Sequence, residues 1–260
     1  MNNVWLRIRT VAVFGVCLLL FAGAAYGQDV KVMISGGLTA AYLQVVPEFE
    51  RAAGHKVVTA FGASMGNAPD SIPVRLQRGE PVDVVILAGE ALDDLVVQGK
   101  VLAGSRVDLA RSSIGMVVRA GAPKPDISSV EALKRTLLQA QSIAYSASAS
   151  GFYLSTELFP RLGIADRIKA KSQRIESERV GVVVARGGAE LGFQQISELL
   201  GVPGTDYVGP LPPAVQKITV YSAGIGAAAK EPAAARALIK FLASPAAAAA
   251  VTKSGLELIH

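Results

Sequence analysis

Residues 30–54 read VKVMISGGLTAAYLQVVPEFERAAG, and this stretch contains a complete strand-turn-helix unit. A largely apolar β-branched run is followed by a Ser-Gly-Gly turn and by an amphipathic segment that ends at Gly54, where a helix terminus favours a positive φ. The first run is apolar on both faces, which is typical of a parallel strand covered by helices. This unit favours an α/β fold.

The same alternation continues along the chain and sets the predicted fold class. Strands are predicted at residues 30–35, 56–61, 82–87, 114–119, 142–145, 190–193 and 218–223. Helices are predicted at residues 39–53, 91–98, 155–162, 180–185 and 232–243, with further helix starts at 128–131 and 244–245. The order of these segments predicts an α/β protein with parallel sheets.

Two changes in composition divide the chain into three parts. Residues 120–126 (AGAPKPD) and 208–213 (VGPLPP) are rich in proline and glycine, and each lies near a predicted strand. Insertion of one domain into another produces this division. We predict a discontinuous first lobe, residues 28–115 and 222–260, and a second lobe, residues 116–221. The expected architecture is two Rossmann-like lobes with mixed, mostly parallel sheets joined by two crossover strands.

The N-terminal 27 residues have the pattern of a secretory signal peptide. Arg7 and Arg9 precede an apolar stretch at residues 11–25, and small residues lead to an expected cleavage site near Gly27. The apolar stretch is shorter than the roughly 20 residues that a membrane-spanning helix needs. We therefore predict a periplasmic protein with no membrane span after cleavage.

Composition excludes several classes of function. The only cysteine, Cys17, lies in the predicted signal peptide, so a mature chain has no disulfide and no cysteine nucleophile. The 26 Lys and Arg residues outnumber the 21 Asp and Glu residues, but they are not clustered among aromatic residues as a nucleic-acid face requires. The histidines, His55 and His260, support neither a metal site nor a Ser-His-Asp triad. We expect no cofactor, no metal, no nucleic-acid partner and a monomer.

Three turns point to an anionic ligand. Small polar residues follow predicted strands at residues 35–37 (SGG), 62–67 (GASMGN) and 146–151 (SASASG). Free backbone N–H groups and the helix dipole favour negative charge at such positions, and serine hydroxyls add donors. The ligand crevice of an open α/β sheet lies at the carboxyl ends of its strands, so the three turns are expected to converge. Serine and glycine are also ordinary helix caps, and one turn alone would not support this prediction.

Arg179 and the amide pair Gln194-Gln195 are candidates to complete the site. Arg179 precedes a predicted helix and could bind a carboxylate with two guanidinium nitrogens, or it could be a surface charge balanced by Glu176 and Glu178. Gln194 and Gln195 come at the end of a predicted strand, where the amide pair is expected to point into the crevice. The alternative for Gln195 is an amide at the edge of the core that is satisfied by the backbone.

Four segments, VKVMISGGL, FGASMGNAPDSIPVRLQRGEPVDVVIL, SASGFYLSTELFPRLGI and RGGAELGFQQISELL, resemble in this order the periplasmic molybdate-binding proteins of ABC importers, which are type 2 periplasmic binding proteins. The resemblance implies a small anionic ligand, an ABC permease as partner and a ligand site at Ser35, Gly36, Gly37, Ser64, Met65, Ala88, Ser150, Gly151, Arg179 and Gln195. In that family a serine follows each of the first two strands and a tyrosine follows the ELGF-like strand. Here Ser64 matches one serine, whereas Gly37 and Gln195 replace the other two side chains. These replacements favour an organic carboxylate over molybdate.

The GNAPDSIP segment and the Gln194-Gln195 pair are more similar to the branch of this family that includes aconitate isomerase. That resemblance implies an alternative function, the interconversion of cis- and trans-aconitate by an allylic proton shift. The shift needs a positioned base, for which the sequence offers the Glu178 carboxylate or the Tyr153 phenol. Two functions stay open: capture of a small anion for an importer, and isomerisation.

Overall fold

Two mixed sheets organise residues 29–259, the part of the chain that this computed structural model describes. The predicted signal peptide lies outside the described residues. The strands are β1 Val30–Ile34, β2 Val57–Phe61, β3 Val84–Ala88, β4 Val107–Ser112, β5 Ile114–Arg119, β6 Ile143–Ser146, β7 Ser172–Ile175, β8 Leu191–Gln195, β9 Thr205–Pro210, β10 Thr219–Ile225 and β11 Glu257–Leu258. One sheet has the order β11-β4-β10-β3-β1-β2, and the other has the order β7-β6-β8-β5-β9.

Helices connect and cover these strands. They are α1 Gly36–Ala53, α2 Ile72–Gln77, α3 Gly89–Val97, α4 Val130–Gln139, α5 Ala149–Tyr153, α6 Phe159–Arg161, α7 Ala165–Lys169, α8 Val180–Ala185, α9 Ile196–Leu199, α10 Pro232–Leu242 and α11 Ala248–Lys253. A π-helical turn, Leu154–Leu158, joins α5 to α6. Within residues 29–259, no helix alone is long and apolar enough to cross a membrane; Pro232–Leu242 and Pro245–Lys253 reach that length and hydropathy only as a pair bent by 57°.

The predicted α/β class is confirmed. Parallel pairing joins β1 to β2 and β3, and it also joins β6 to β7 and β8. Antiparallel pairing is made by β10 in the first sheet and by β5 in the second. Each predicted strand is present, and β4, β7, β9 and β11 are additional. Strands β4 (VDLARS) and β7 (SQRI) were not predicted because they contain polar residues that are uncommon in buried strands. Strand β9 was not predicted because its Gly-Pro end resembles a loop.

The chain passes between the sheets at two places. It leaves the six-stranded sheet between β4 and β5 and returns between β9 and β10. We call the six-stranded sheet with α1–α3, α10 and α11 the first lobe, and the five-stranded sheet with α4–α9 the second lobe. The limits drawn from the sequence, at residues 115/116 and 221/222, stay a prediction.

Three helices begin earlier than predicted, and one of them is α3, which begins at Gly89 rather than at residue 91. Helix α1 begins at Gly36 with Ser35 at its N-cap, and α5 begins at Ala149, so that residues 150 and 151 belong to a helix and not to the predicted turn. A Cβ at Gly151 would overlap the carbonyl oxygen of Ser146. Because glycine has no Cβ, α5 can start directly against the end of β6.

Apolar packing makes both lobes rigid around the strand ends. All five residues of β3 are buried, and the faces of the first sheet pack against α1 and α10 on one side and α2 and α3 on the other. The second sheet packs against α4–α7 on one face and α8 on the other. Burying each large apolar side chain contributes about 1.5–3 kcal/mol to the stability of the folded state. The positions of the strand ends are therefore determined by packing in the core rather than by the loops.

Candidate functional site

A cavity of about 340 Å³ lies between the lobes at the carboxyl ends of parallel strands. The first lobe contributes the start of α1 and the residues after β2, and the second lobe contributes the residues after β6 and β7 and the end of β8. Open α/β sheets bind ligands at this edge. The cavity is lined by Gly36, Thr39, Leu43, Phe61, Gly62, Ala63, Asp70, Ser146, Ala147, Ser148, Ile175, Glu176, Ser177, Glu178, Arg179, Gln194 and Glu198.

Glu198 places a buried carboxyl group in the cavity wall. Its side chain lies in α9, directly after β8, and is only 8% exposed. Burial raises the pKa of Glu198 to about 7, while the charge of Arg179 and a hydrogen bond from Gln194 lower it. The carboxyl group touches the start of α1, since a Cβ at Gly36 would overlap its Oε1 atom. A group that changes charge near neutral pH can both accept and donate a proton.

Arg179 supplies positive charge at the exposed side of the cavity. The carboxylates predicted to balance it are engaged elsewhere: Glu178 pairs with Arg186 at 2.6 Å, and Glu176 pairs with Arg174 at 2.8 Å. Hydrogen bonding from Arg186 lowers the pKa of Glu178, which therefore stays ionised. In the described part of the chain Arg179 forms no ion pair within 4 Å, so its guanidinium is available to an anion.

Two of the predicted turns meet at the boundary between the lobes. Ser64 is fully buried; its Oγ accepts a hydrogen bond from the N–H of Ala88, and its own N–H donates to Oγ of Ser148, both at 3.1 Å. Ser150 is also buried and shares a hydrogen bond of 2.9 Å with the hydroxyl of Ser146. The serines therefore join the lobes beside the cavity.

Four buried side-chain atoms have no hydrogen-bond partner within residues 29–259, and two of them belong to residues predicted to bind the ligand. These two are Oγ of Ser35, which precedes Gly36, and Oε1 of Gln195. The other end of the Gln195 amide lies 2.9 Å from the Thr219 hydroxyl, which can donate as well as accept, so either end of the amide can face Thr219. Buried polar atoms are usually satisfied, but neither Ser35 nor Gln195 is among the residues that line the cavity.

The two glycines after Ser35 allow three elements to approach closely. A Cβ at Gly37 would overlap the ring and hydroxyl of Tyr221 in β10. The hydroxyl of Ser197 in α9 donates to the carbonyl oxygen of Gly37 at 2.6 Å. The pKa of the buried Tyr221 phenol is raised well above its ordinary value by burial and by the charge of Glu198, so the phenol stays neutral.

The remaining predicted residues lie on another side of the lobe boundary. Met65, Ala88 and Tyr153 line a second cavity of about 250 Å³. The Tyr153 hydroxyl donates to the carbonyl oxygen of Val215 at 2.8 Å and accepts from Arg161 at 3.0 Å. Tyr153 thus has structural partners, and the structure does not bring it together with Glu178.

Sequence reasoning missed Glu198, whereas Gln194, from the amide pair expected to face the crevice, does line the cavity. Glu198 stands in the segment ISELL, whose pattern is that of an ordinary amphipathic helix. Its burial comes from contact with Gly36, which is distant along the chain, and local sequence does not report such contacts. Its position five residues after the end of a predicted strand was the available signal.

A family model described as "Bacterial extracellular solute-binding protein" matches residues 30–257. The chain belongs to this family. An aconitate isomerase from Pseudomonas sp is 50% identical over 254 residues, covering 96% of this chain and 97% of that protein. The molybdate-binding protein ModA from Azotobacter vinelandii is 29% identical over 262 residues, again covering 96% of this chain and 97% of the relative. The predicted membership among molybdate-binding-like proteins is confirmed.

Two solved structures have the same fold as this chain. The periplasmic molybdate-binding protein of Azotobacter vinelandii superposes with a TM-score of 0.71 at 25% identity, covering 89% of this chain and 100% of that one. The sulfate-binding protein SubI from Mycobacterium tuberculosis H37Rv also gives a TM-score of 0.71, at 20% identity, covering 90% of this chain and 88% of that one. The predicted type 2 periplasmic binding protein architecture is thereby confirmed.

Proposed function

We propose that this solute-binding protein takes an organic tricarboxylate into the cleft between its lobes and interconverts cis- and trans-aconitate there, in the periplasm. The observation that carries the proposal is the Glu198 carboxyl group, which is buried in the cavity wall and has a pKa of about 7. Acid-base catalysis is most effective when the pKa of the group lies near the working pH.

The reaction needs only a proton to move. The base removes a proton from the methylene carbon of aconitate, and the electron pair left behind forms a new double bond to the central carbon. The electron pair of the old double bond then takes a proton at the carbon on the other side. One carboxyl group can serve both steps, because Glu198 becomes protonated in the first and returns the proton in the second. The geometry of the new double bond follows from the conformation of the bound chain.

Other groups in the cavity suit a ligand with several carboxylates. Among the described residues Arg179 has no ion-pair partner within 4 Å, and a guanidinium binds a carboxylate through two parallel hydrogen bonds. Leu43 and Phe61 give the cavity an apolar wall, against which a carbon skeleton can pack. The volume of about 340 Å³ falls in the range of roughly 300–1,000 Å³ found for small-molecule sites. The 50% identical aconitate isomerase supports the same assignment.

A second candidate function is capture of the anion for an ABC permease without chemistry. The family match and the 29% identical molybdate-binding protein favour it. In that case the cleft binds the carboxylate and releases it unchanged. The ligand we favour is again an organic carboxylate, because Arg179 and the apolar wall fit it better than they fit a bare tetrahedral oxyanion.

The test follows conversion of the substrate directly. Purified protein is incubated with trans-aconitate at pH 7.5, and cis-aconitate is measured by chromatography against a sample without protein. We expect conversion by the wild type and by Glu48→Gln, an exposed control on α1, and a loss of at least about 100-fold in Glu198→Gln, as general acid-base groups contribute 10²–10⁴-fold. No conversion by the wild type, together with tight binding in calorimetry, would establish capture instead. Normal turnover by Glu198→Gln alongside an inactive Glu178→Gln would move the proton transfer to Glu178.

A further inference from the structure

Gln194 connects two functional parts of the cavity. The side chain is 4% exposed and lies near the end of β8. Its Oε1 atom accepts a hydrogen bond of 2.9 Å from the N–H of Val180, the first residue of α8. Its Nε2 atom donates a hydrogen bond of 2.7 Å to Oε1 of Glu198. A single amide therefore joins the helix start that follows Arg179 to the proposed proton-transfer group.

The orientation of this amide is determined by its partners. A backbone N–H can only donate, so the oxygen of Gln194 must face Val180. The NH₂ end is then directed at Glu198, where it meets a carboxyl oxygen that accepts in both charge states. The neighbouring Gln195 has no such constraint, since its partner is a hydroxyl. Only one arrangement of Gln194 satisfies both of its ends.

We infer that Gln194 is the positioning residue of the proton-transfer site: it holds Oε1 of Glu198 and leaves the second carboxyl oxygen to exchange the proton with the ligand. This inference rests on the proposed function, in which Glu198 moves the proton. The same bond fixes the carboxyl group relative to the start of α8, so that Arg179 can hold one carboxylate of the ligand while the reacting carbons face Glu198. A misplacement of about 1 Å in such a site can cost on the order of 100-fold in rate.

Gln194 also favours the ionised state of Glu198, because its amide donates to the carboxylate and lowers the pKa. The other groups that act on this carboxyl group are Arg179, whose charge also lowers the pKa, and Tyr221, which stays neutral. The remaining carboxylates of the cavity are Asp70 from the first lobe and Glu176 and Glu178 from the second. Burial raises the pKa of Glu198, and the hydrogen bond from Gln194 lowers it. Loss of the amide donor should therefore raise this pKa.

The experiment measures the pH profile of kcat/KM for trans-aconitate in the wild type, Gln194→Leu, Gln194→Glu and the exposed control Gln139→Leu. The acidic limb of this profile reports the pKa of Glu198 in the free enzyme. We expect this pKa to rise by roughly 0.5–1 pH unit in Gln194→Leu, which is the energetic equivalent of one lost hydrogen bond. In Gln194→Glu two carboxyl groups share a proton, and the shift should exceed that of Gln194→Leu. The plateau of kcat should fall on the order of 10-fold in both variants.

A second measurement separates the inference from the proposed function. The pH dependence of unfolding is compared between each Gln194 variant and the same variant carrying Glu198→Gln, which reports the ionisation of Glu198 without any turnover. The midpoint is the pH at which half of the difference in unfolding free energy between the two proteins has been lost. An upward shift of this pH supports the inference. If the limb and the midpoint match those of Gln139→Leu, Gln194 is not the positioning residue, although the proposed function stands. If Glu198→Gln keeps full activity while the midpoint shifts, the proposed function fails and the contact with Gln194 is structural.

Discussion

Replacing Glu198 by Gln should make the protein more stable above pH 7. The pKa of this carboxyl group is raised by burial from 4.5 to about 7, so the folded protein keeps a proton that the unfolded chain has already released. Between these two pH values the folded state binds more protons, and stability falls as pH rises. This difference between the folded and unfolded pKa lowers the free energy of unfolding by about 3 kcal/mol at pH 8. Below pH 4.5 it has no such effect.

Urea unfolding followed by circular dichroism at several pH values between about 4.5 and 8 measures this effect. The quantity to plot is the unfolding free energy of the wild type minus that of Glu198→Gln, because groups common to both proteins cancel in the difference. The amide keeps an oxygen that can accept from Gln194, so the variant should fold. We expect the difference to fall by about 3 kcal/mol across this range, whereas Glu48→Gln should give a nearly flat line. A flat line for Glu198→Gln would refute the reasoning, since it would mean that the buried carboxyl group ionises as it does in the unfolded chain.

Three further outcomes can be measured with single substitutions. Arg179→Ala should weaken tricarboxylate binding by about 1.5–3 kcal/mol in calorimetry, and Arg236→Ala, which removes an exposed arginine of α10, should leave the dissociation constant unchanged. Ser64→Ala should weaken ligand binding by about 1–3 kcal/mol. It should also lower the stability of the protein, because the buried N–H of Ala88 at the end of β3 loses its acceptor. An unchanged dissociation constant would show that Ser64 does not belong to the site. Gly151→Ala should destabilise the second lobe strongly, because the new Cβ overlaps a main-chain oxygen of β6, while Gly209→Ala meets only an ordinary contact at 3.8 Å; equal thermal stability of the two variants would contradict this account.

The fold was predictable because its signals are local. Apolar runs such as those of β1 and β3 are buried on both faces, and the glycines that end helices have positive φ, with 68° at Gly54 and 67° at Gly99. The strands that escaped prediction depend on their neighbours instead. Strand β4 has exposed Asp and Arg residues in its sequence and exists because it pairs with β10 and β11. Tertiary pairing overrides local preference at such positions.

The site was predictable only where it consists of turns. Strand ends of one sheet share an edge, so the meeting of Ser64 with Ser148 follows from topology. The environment of a single side chain does not follow in this way. Glu198 and Glu178 both directly follow a serine in the sequence, yet one is buried with a raised pKa and the other is ion-paired at the surface with a lowered pKa. Only the three-dimensional contacts separate them.

Gly37 illustrates how one substitution depends on a distant residue. The family resemblance places a serine at this position, but a Cβ there would overlap the Tyr221 phenol. A serine at position 37 therefore requires a smaller residue at 221 or a displaced strand β10. Glycine at position 37 and the buried phenol of Tyr221 therefore depend on each other. Together they exclude a serine hydroxyl that a tetrahedral oxyanion would use as a donor.

A buried carboxyl group in an anion cleft calls for an explanation, because an ionised Glu198 repels the ligand that the cleft has to attract. Repulsion between two charges about 4 Å apart is on the order of 4 kcal/mol near a protein surface and larger where water is excluded. For capture alone, a neutral side chain at position 198 would bind the anion more tightly at neutral pH. Proton transfer resolves the conflict, because the reaction needs a carboxylate that can take the proton from the methylene carbon, and the charge of Arg179 favours this ionised form. Because a bound polyanion raises the pKa of Glu198, tricarboxylate binding at pH 7.5 should take up a fraction of a proton per ligand, at most about three quarters, as measured in buffers of different ionisation enthalpy, and Glu198→Gln should abolish that uptake.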